Sequence, residues 1–215
     1  YDLILTYGGG EPVTAAYARF GARRCVPVYN ALDPSTHYPV HAETRFDGDL
    51  GFLGNRLPDR EERVHEFFFG PASVHPRLRF LLGGNGWGDA PLPENVINLG
   101  HVFTTDHNAF NSSLRAVLNI SRDSMARYGF CPATRVFEAA GAGACIITDS
   151  WEGIEMFLEP GREVLVARSG SEVADILHHL KPEEARRIGT RAMNRILVEH
   201  TYSRRAAQLE GLWTE

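Results

Sequence analysis

Lysine is almost missing from this chain. Of its 22 Lys and Arg residues only Lys181 is lysine, and it sits in a helix-breaking Lys-Pro pair, a poor place for a Schiff base to pyridoxal phosphate. Cysteine is scarce as well. Cys25, Cys131 and Cys145 are an odd number without metal-ligand spacing, so they read as free thiols of a reducing compartment and not as a disulfide framework. Positive charge is in deficit. A formal net charge of −5 argues against a phosphate-backbone partner, and no nucleic acid is expected. No apolar run approaches the roughly 20 residues needed to span a bilayer, and no signal peptide is present, so a cytoplasmic location is expected. Tyr1 is not a natural start, and an N-terminal part is expected to be missing.

What is present is an alternation of apolar runs and helical patterns over 215 residues. DLILT (2–6), a helix-like stretch (11–21) and CVPVYN (25–30) come first. The segment ALDPSTHYPVHAETRFDGD (31–49) is rich in Pro, Asp, Thr and His and reads as a linker. LGFLGN, LRFLLG, NVINLGHV, RAVLNIS, ACIITD and REVLVA follow as strands, separated by Gly loops or helical stretches. PDREERVHEFFF places Pro58 at a first helical position. Two charged helices, 182–200 and 201–213, close the chain. Such alternation predicts an α/β fold, a mostly parallel sheet covered on both faces, with its strand-to-helix loops on one ligand-binding edge.

Three loops on that edge carry candidate chemistry. GGNGWG (83–88) lets backbone approach a ligand closely but lacks the form of a dinucleotide or ATPase phosphate loop. LGNRLPDR (53–60) places Arg56 and Arg60 between a strand and a helix. RVFEAAGAGACIITD (135–149) is the most specific. Its small residues suggest that something comes close to the helix backbone. Thr134 is read as N-cap, with the helix starting at Arg135. The free N–H groups and partial positive charge of a helix N-terminus, with Arg135 beside them, form an anion site. Glu138, one turn on, offers two acceptor oxygens that match the cis-diol of a ribose. A capping-box role for Glu138 explains the same spacing, and both readings stand on sequence. Asp47 and Asp49 in FDGD have Asp-x-Asp spacing but precede a strand, away from the ligand edge. Phe67, Phe68 and Phe69 read as core.

The order of these motifs resembles that of a GT-B fold glycosyltransferase of the large retaining "group 1" class. NALDPSTHYPV resembles the Gly-Val-Asp-Pro…Phe-x-Pro signature between the two domains. LRFLLGGNG, NVINLGHV, RVFEAAGAGACIITDSWEGIEMF and PGREVLVARSGSEVADIL resemble the successive pieces of the donor-binding domain. ALDPSTHYP and HTYSRRAAQLEGLW look most like the CgeB-like spore-maturation glycosyltransferases. The resemblance implies a Rossmann-like three-layer sandwich with a parallel sheet, the C-terminal donor-binding half of a GT-B fold. Residues 1–40 would be the end of the acceptor-side domain and the interdomain linker, 41–200 the nucleotide-sugar-binding domain, and 201–215 a helix packing back toward the first domain.

The resemblance also implies roles. Glu138 would hold the donor ribose. Arg60 and Arg135, with the amides of Ala133 and Thr134, would hold the diphosphate and stabilise it as it leaves. His101 and Val102 would meet the base of the nucleotide, UDP or GDP, with Gly84 and Asn85 on the neighbouring loop. No metal and no cofactor are expected; the donor is a nucleotide-diphosphate sugar. The acceptor, glycan, protein or small molecule, stays open. Two departures stand out. Phe130 occupies the place of a second Glu, which in many relatives has seven residues between it and the ribose Glu, and neither Asp59 nor Glu61 can replace their diphosphate-binding Lys. A non-catalytic nucleotide-binding module and a nucleotide-sugar 2-epimerase are the alternatives.

Overall fold

A computed structural model describes residues 1–89 and 91–214. The chain opens with β1 (Ile4–Thr6), α1 (Gly10–Arg19) and β2 (Cys25–Pro27), and β1 pairs with β2 in parallel. Six further strands, β3 (Gly48–Leu53), β4 (Phe80–Gly83), β5 (Val96–Gly100), β6 (Leu114–Asn119), β7 (Ile146–Asp149) and β8 (Leu165–Ala167), form one parallel sheet in the order β5-β4-β3-β6-β7-β8. Counted from β3 this is 3-2-1-4-5-6, and the strand order reverses between β3 and β6. Ligands of open α/β sheets bind outside the carboxyl ends of the strands at such a reversal.

The period-2 alternation of the strands builds two cores. Leu50, Phe52, Phe80, Leu82, Leu118 and Ile147 face one way, toward α2 (Glu61–Val64), α3 (Gly70–Val74) and α7 (Gly170–His179). Leu81, Val117 and Ile146 face the other way, toward α4 (Thr104–Ser113), α6 (Thr134–Gly141) and α8 (Pro182–Glu199). Both faces of the sheet are therefore covered, which is why its strands read as near-continuous apolar runs. Phe67, Phe68 and Phe69 are buried in a π-helical turn joining α2 to α3. Pro58 is not at a helix start. Residues 58–60 form a turn, closed by Arg60 N–H donating to Leu57 O at 3.0 Å, and α2 begins at Glu61.

The segment after β2 has little regular structure, but it is pinned. The Asn108 side chain of α4 donates to Thr36 O at 2.9 Å and accepts from Tyr38 N at 3.3 Å. Ser112 and Ser113 hydroxyls accept from Val40 N and Glu43 N. This explains why one face of α4 is polar: it satisfies backbone instead of burying side chains. At the other end, α9 (Tyr202–Thr214) directs Arg205 Nε to Tyr29 O at 3.0 Å and Gln208 Nε2 to Pro27 O at 3.3 Å.

The small residues of α6 do admit a close approach to its backbone. The helix fully buries Phe137 and nearly all of Val136. What comes close to its backbone is protein. A Cβ on Gly141 would lie 2.4 Å from Leu32 Cδ1, in the segment after β2. Gly143, just past the helix, takes φ +77°. Gly189 of α8 packs directly on it, where a Cβ would lie 2.1 Å from Gly143 O. Because that neighbour is backbone, Gly189→Ala should destabilise the protein by about 1–3 kcal/mol, the usual range for overpacking. A urea midpoint equal to wild type would show that α8 can retreat freely.

Candidate functional site

The reversal between β3 and β6 opens into a cleft with two lobes. One, of about 360 Å³, is lined by Gly84, His101 and Val102; the other, of about 330 Å³, by Ala133, Thr134 and Glu138. Leu53, Arg60, His107 and Arg135 line both. Eight of the nine sequence-derived site residues thus meet in one place. Asn85 does not line the cleft; its N–H binds Asn55 Oδ1 at 2.9 Å and its carbonyl accepts from Arg56 N. Gly84 is required by the fold as well, since a Cβ there would lie 2.3 Å from Gly54 O. A larger concavity of about 460 Å³ lies at the opposite edge of the sheet, among Asp47, Asp49, Arg79 and Arg115, and contains none of these residues. Asp49 there pairs with Arg115 at 3.1 Å, which accounts for it structurally.

Arg135 spans the reversal. Its guanidinium donates to Leu53 O at the end of β3 and to Asn119 Oδ1 at the end of β6, the latter at 3.2 Å. Arg60 is 8% exposed; its Nη2 donates to Asn55 O at 2.7 Å, and its buried Nε has no partner. The two guanidinium carbons lie 5.3 and 5.2 Å from the centroid of the Phe52 ring, within cation–π range. Among the described residues neither arginine forms an ion pair. Burial lowers the Arg135 pKa to about 10, and the like charge of Arg60 adds to the effect while Glu138 and Asp149 oppose it. Burial likewise lowers that of Arg60. Two desolvated cations thus lie on one cleft with no carboxylate partner among the described residues, an arrangement that costs free energy.

The N-terminus of α6 lies on the same cleft. Its N-cap is Ala133, one residue earlier than expected, and no side chain caps it. Thr134 is therefore the first helical residue. The physical reason is backbone: Ala133 is extended, with ψ 146°, and its carbonyl already accepts from Val136 N. With no side-chain cap in place, the capping-box explanation of Glu138 lapses, and the helix leaves its first N–H groups open. Glu138 instead faces two histidines that sequence reasoning passed over. His37, from the pinned segment, has Nε2 3.9 Å from Glu138 Oε1, and nitrogen and oxygen atoms of His37, His107 and Glu138 lie within 4.8 Å of one another.

Also missed was the support beneath the cleft. Asp149 is fully buried at the end of β7 and accepts from Arg63 Nη2 at 2.6 Å, Ser121 N at 2.9 Å and Ser121 Oγ at 3.1 Å. Asn119 donates to Thr148 Oγ1 at 2.9 Å, so the residue that steadies Arg135 is itself held by β7. Phe130 at φ +48° joins the β1–α1 unit to this half: its N–H donates to Glu152 O and its carbonyl accepts from Gly9 N. Nearby Cys131 has its thiol pKa pushed up by burial, the opposite of an activated nucleophile.

Residues 60–211 match the family model described as glycosyl transferase-like. The chain belongs to the glycosyl transferase-like family. No curated protein matches it. Solved glycosyltransferase structures share its fold. A sucrose-phosphate synthase from Thermosynechococcus elongatus is 16% identical with a TM-score of 0.74, over 99% of this chain and 58% of the other. Anabaena HepE in complex with UDP-glucose is 13% identical, also with a TM-score of 0.74, over 99% and 64%. T4 phage BGT in complex with its UDP-glucose substrate is 16% identical with a TM-score of 0.67, over 97% and 62%. The family member thus spans less than two thirds of these proteins, and at such identities the likeness is one of fold: the Rossmann-like parallel sandwich of a GT-B domain. No helix among the described residues is long and apolar enough to cross a membrane.

Proposed function

We propose that this chain is the donor-binding part of a glycosyltransferase that moves a sugar from a nucleoside-diphosphate donor to an acceptor. The observation that carries the reading is the pair of guanidiniums, Arg60 buried and Arg135 half-buried, without an ion pair among the described residues, beside the uncapped N-terminus of α6, with Glu138 one turn further on. An anion followed by a diol, in that spacing, is a nucleoside diphosphate. The diphosphate lies against Arg60 and the amides of Thr134 and its neighbours, the ribose against Glu138, and the base in the lobe lined by His101 and Val102. As the sugar–phosphate bond breaks, charge grows on the diphosphate oxygens, and preorganised N–H and guanidinium donors stabilise it there. Arg135 acts partly by bracing β3 to β6. The charge is met by these cations, which is the basis for proposing metal-independent transfer.

The motifs favour a retaining, group 1, CgeB-like hexosyltransferase, with UDP or GDP as the leaving group and a cytoplasmic setting. The proposed division is 1–40, end of the first domain and linker; 41–200, donor domain; and 201–215, a helix returning to the first part. The bonds from α9 to Tyr29 and Pro27 support this last element, whose Glu215 lies outside the described residues. Phe130, in place of a second carboxylate, favours one rival, a module that binds nucleotide without turnover; donor hydrolysis by the full-length protein separates the two.

Glu138→Ala should weaken UDP binding by about 1.5–3 kcal/mol, the value of hydrogen bonds to a charged group, and should abolish discrimination between UDP and 2′-deoxy-UDP. Calorimetry on the folded variant measures both. Retained discrimination would remove Glu138 from the ribose.

A further inference from the structure

We infer that His37, His107 and Glu138 form a binding site for a divalent transition-metal ion of the Zn²⁺ class, and that this ion and the nucleotide exclude each other. The metal site stands on the three side chains alone; the exclusion rests on the assignment of Glu138 to the ribose. The residues come from separate elements, His37 from the segment after β2, His107 from α4 and Glu138 from α6. One ligand atom from each lies within 4.8 Å of the other two. Two imidazoles and a carboxylate suit Zn²⁺, whereas Mg²⁺ and Ca²⁺ take oxygen. Metal-bound histidines are usually held through their second ring nitrogen, and both of these are. His107 Nε2 lies 3.3 Å from Val102 O, and a carbonyl only accepts, so Nε2 carries the hydrogen and Nδ1 of the neutral ring is left to ligate. His37 Nδ1 lies 2.9 Å from Thr36 Oγ1. That hydroxyl can donate to Nδ1, which leaves a neutral ring with Nε2–H. It can equally turn to Asp33 O, 3.1 Å away, and accept from Nδ1–H, which leaves Nε2 bare. The ring is anchored in either neutral tautomer, so it gives Nε2 to a metal without losing its anchor. Nε2 is buried, has no hydrogen-bond partner and lies 3.9 Å from Glu138 Oε1, and His37 as a whole is 9% exposed.

The three side chains stand somewhat wider than a bound ion requires, by an amount that rotation of Glu138 closes. Tetrahedral ligands at about 2.0–2.1 Å from Zn²⁺ lie about 3.4 Å apart, so the 3.9 Å pair has about 0.5 Å to close and the widest pair about 1.4 Å at most. The Glu138 side chain is 28% exposed and accepts no hydrogen bond among the described residues, so it is free to turn. His37 is held in reach, because Asn108 clamps its segment to α4. Arg60 and Arg135 line the same lobe as His107 and Glu138 and oppose a further cation, so affinity should be micromolar and not tighter. The exclusion follows from the oxygens. Glu138 has two, and the proposed ribose contact uses both. An ion on Oε1 takes one of them. It has no part in sugar transfer; it closes the donor cleft. The other histidine cluster, His75, His178 and His179, has ring centroids 6.0 and 4.8 Å apart, but among the described residues no carboxylate completes it. It serves as an internal control.

The first measurement needs no nucleotide. Ring-¹⁵N NMR of the full chain with one equivalent of Zn²⁺ should show perturbation at His37 Nε2 and His107 Nδ1. Calorimetry should give one site with a Kd of about 1–30 µM, weakened about tenfold or more in His37→Phe and in Glu138→Gln. Zinc shifts confined to His75, His178 and His179, no binding below about 100 µM, or a smaller loss in the two variants overturns the metal site, whatever UDP does. Should His37→Phe fail to fold, the wild-type spectra and Glu138→Gln decide the matter. The second measurement uses uridine, which carries the ribose diol without a phosphate that would itself bind zinc. Zn²⁺ at ten times its Kd should weaken uridine binding to wild type about tenfold by mass action and leave binding to His37→Phe unchanged. Uridine affinity that does not move while zinc sits on both rings overturns the exclusion. Zinc bound as described with no uridine or UDP binding under any condition removes the nucleotide reading, and the exclusion with it, but not the metal site.

Discussion

Arg60→Ala should weaken binding of uridine diphosphate by about 1.5–3 kcal/mol, roughly ten- to a hundredfold, and leave uridine binding within about twofold. The split follows from where Arg60 sits. It is buried on both lobes of the cleft, keeps one hydrogen bond to Asn55 O, and leaves its Nε without a partner. Its only large task in the proposed site is the anion. The cost to stability should be small, because the change also removes a like charge that disfavours Arg135. The folded pKa of Arg135, about 10, lies below its ordinary value, so keeping it charged costs folding free energy at every pH below that point. A bound diphosphate returns part of that cost, so UDP should raise the melting temperature of wild type more than that of Arg60→Ala. Equal losses for uridine and UDP would mean that Arg60 acts on the base lobe or the fold.

Asp149→Ala should destabilise the protein by about 3 kcal/mol or more. Removing one partner of a buried ion pair leaves the other uncompensated, which typically costs about 3–5 kcal/mol. The Arg63 side chain is 23% exposed, which places the effect toward the lower end. Asp149 also satisfies Ser121 N and Oγ, and these would be orphaned together. Asp149→Asn, which keeps an acceptor for Ser121, should lose less. Urea denaturation compares the two. A loss below about 1 kcal/mol in Asp149→Ala would show that water enters and replaces the carboxylate.

Much of the fold was legible because parallel strands buried on both faces leave a strong apolar signal. Leu81 and Leu82 face opposite layers, yet both are fully buried, and runs such as LRFLLG can have few other causes. The cleft was legible where a motif is local in sequence. Thr134, Arg135 and Glu138 lie within one short helix. What escaped was non-local or depended on backbone angles. His37 and His107 are 70 residues apart and meet Glu138 only because Asn108 pins one segment against α4. Asn119 and Asp149 looked like the polar ends of two strands; their roles arise from β6 and β7 lying side by side. The N-cap fell one residue early because the extended backbone at Ala133, not a side chain, sets the helix start. The glycines after Glu138 read as positions of close approach, but the neighbours that approach, Leu32 at Gly141 and Gly189 of α8 at Gly143, are too far away in sequence to be named from it.

A crystal structure of the protein with UDP should show the nucleotide in the cleft between β3 and β6. The diphosphate is expected within hydrogen-bond distance of Arg60 and the first amides of α6, with both ribose hydroxyls on Glu138. Nucleotide in the opposite-edge cavity among Asp49, Arg79 and Arg115, or in the cleft with its ribose turned away from Glu138, would contradict it.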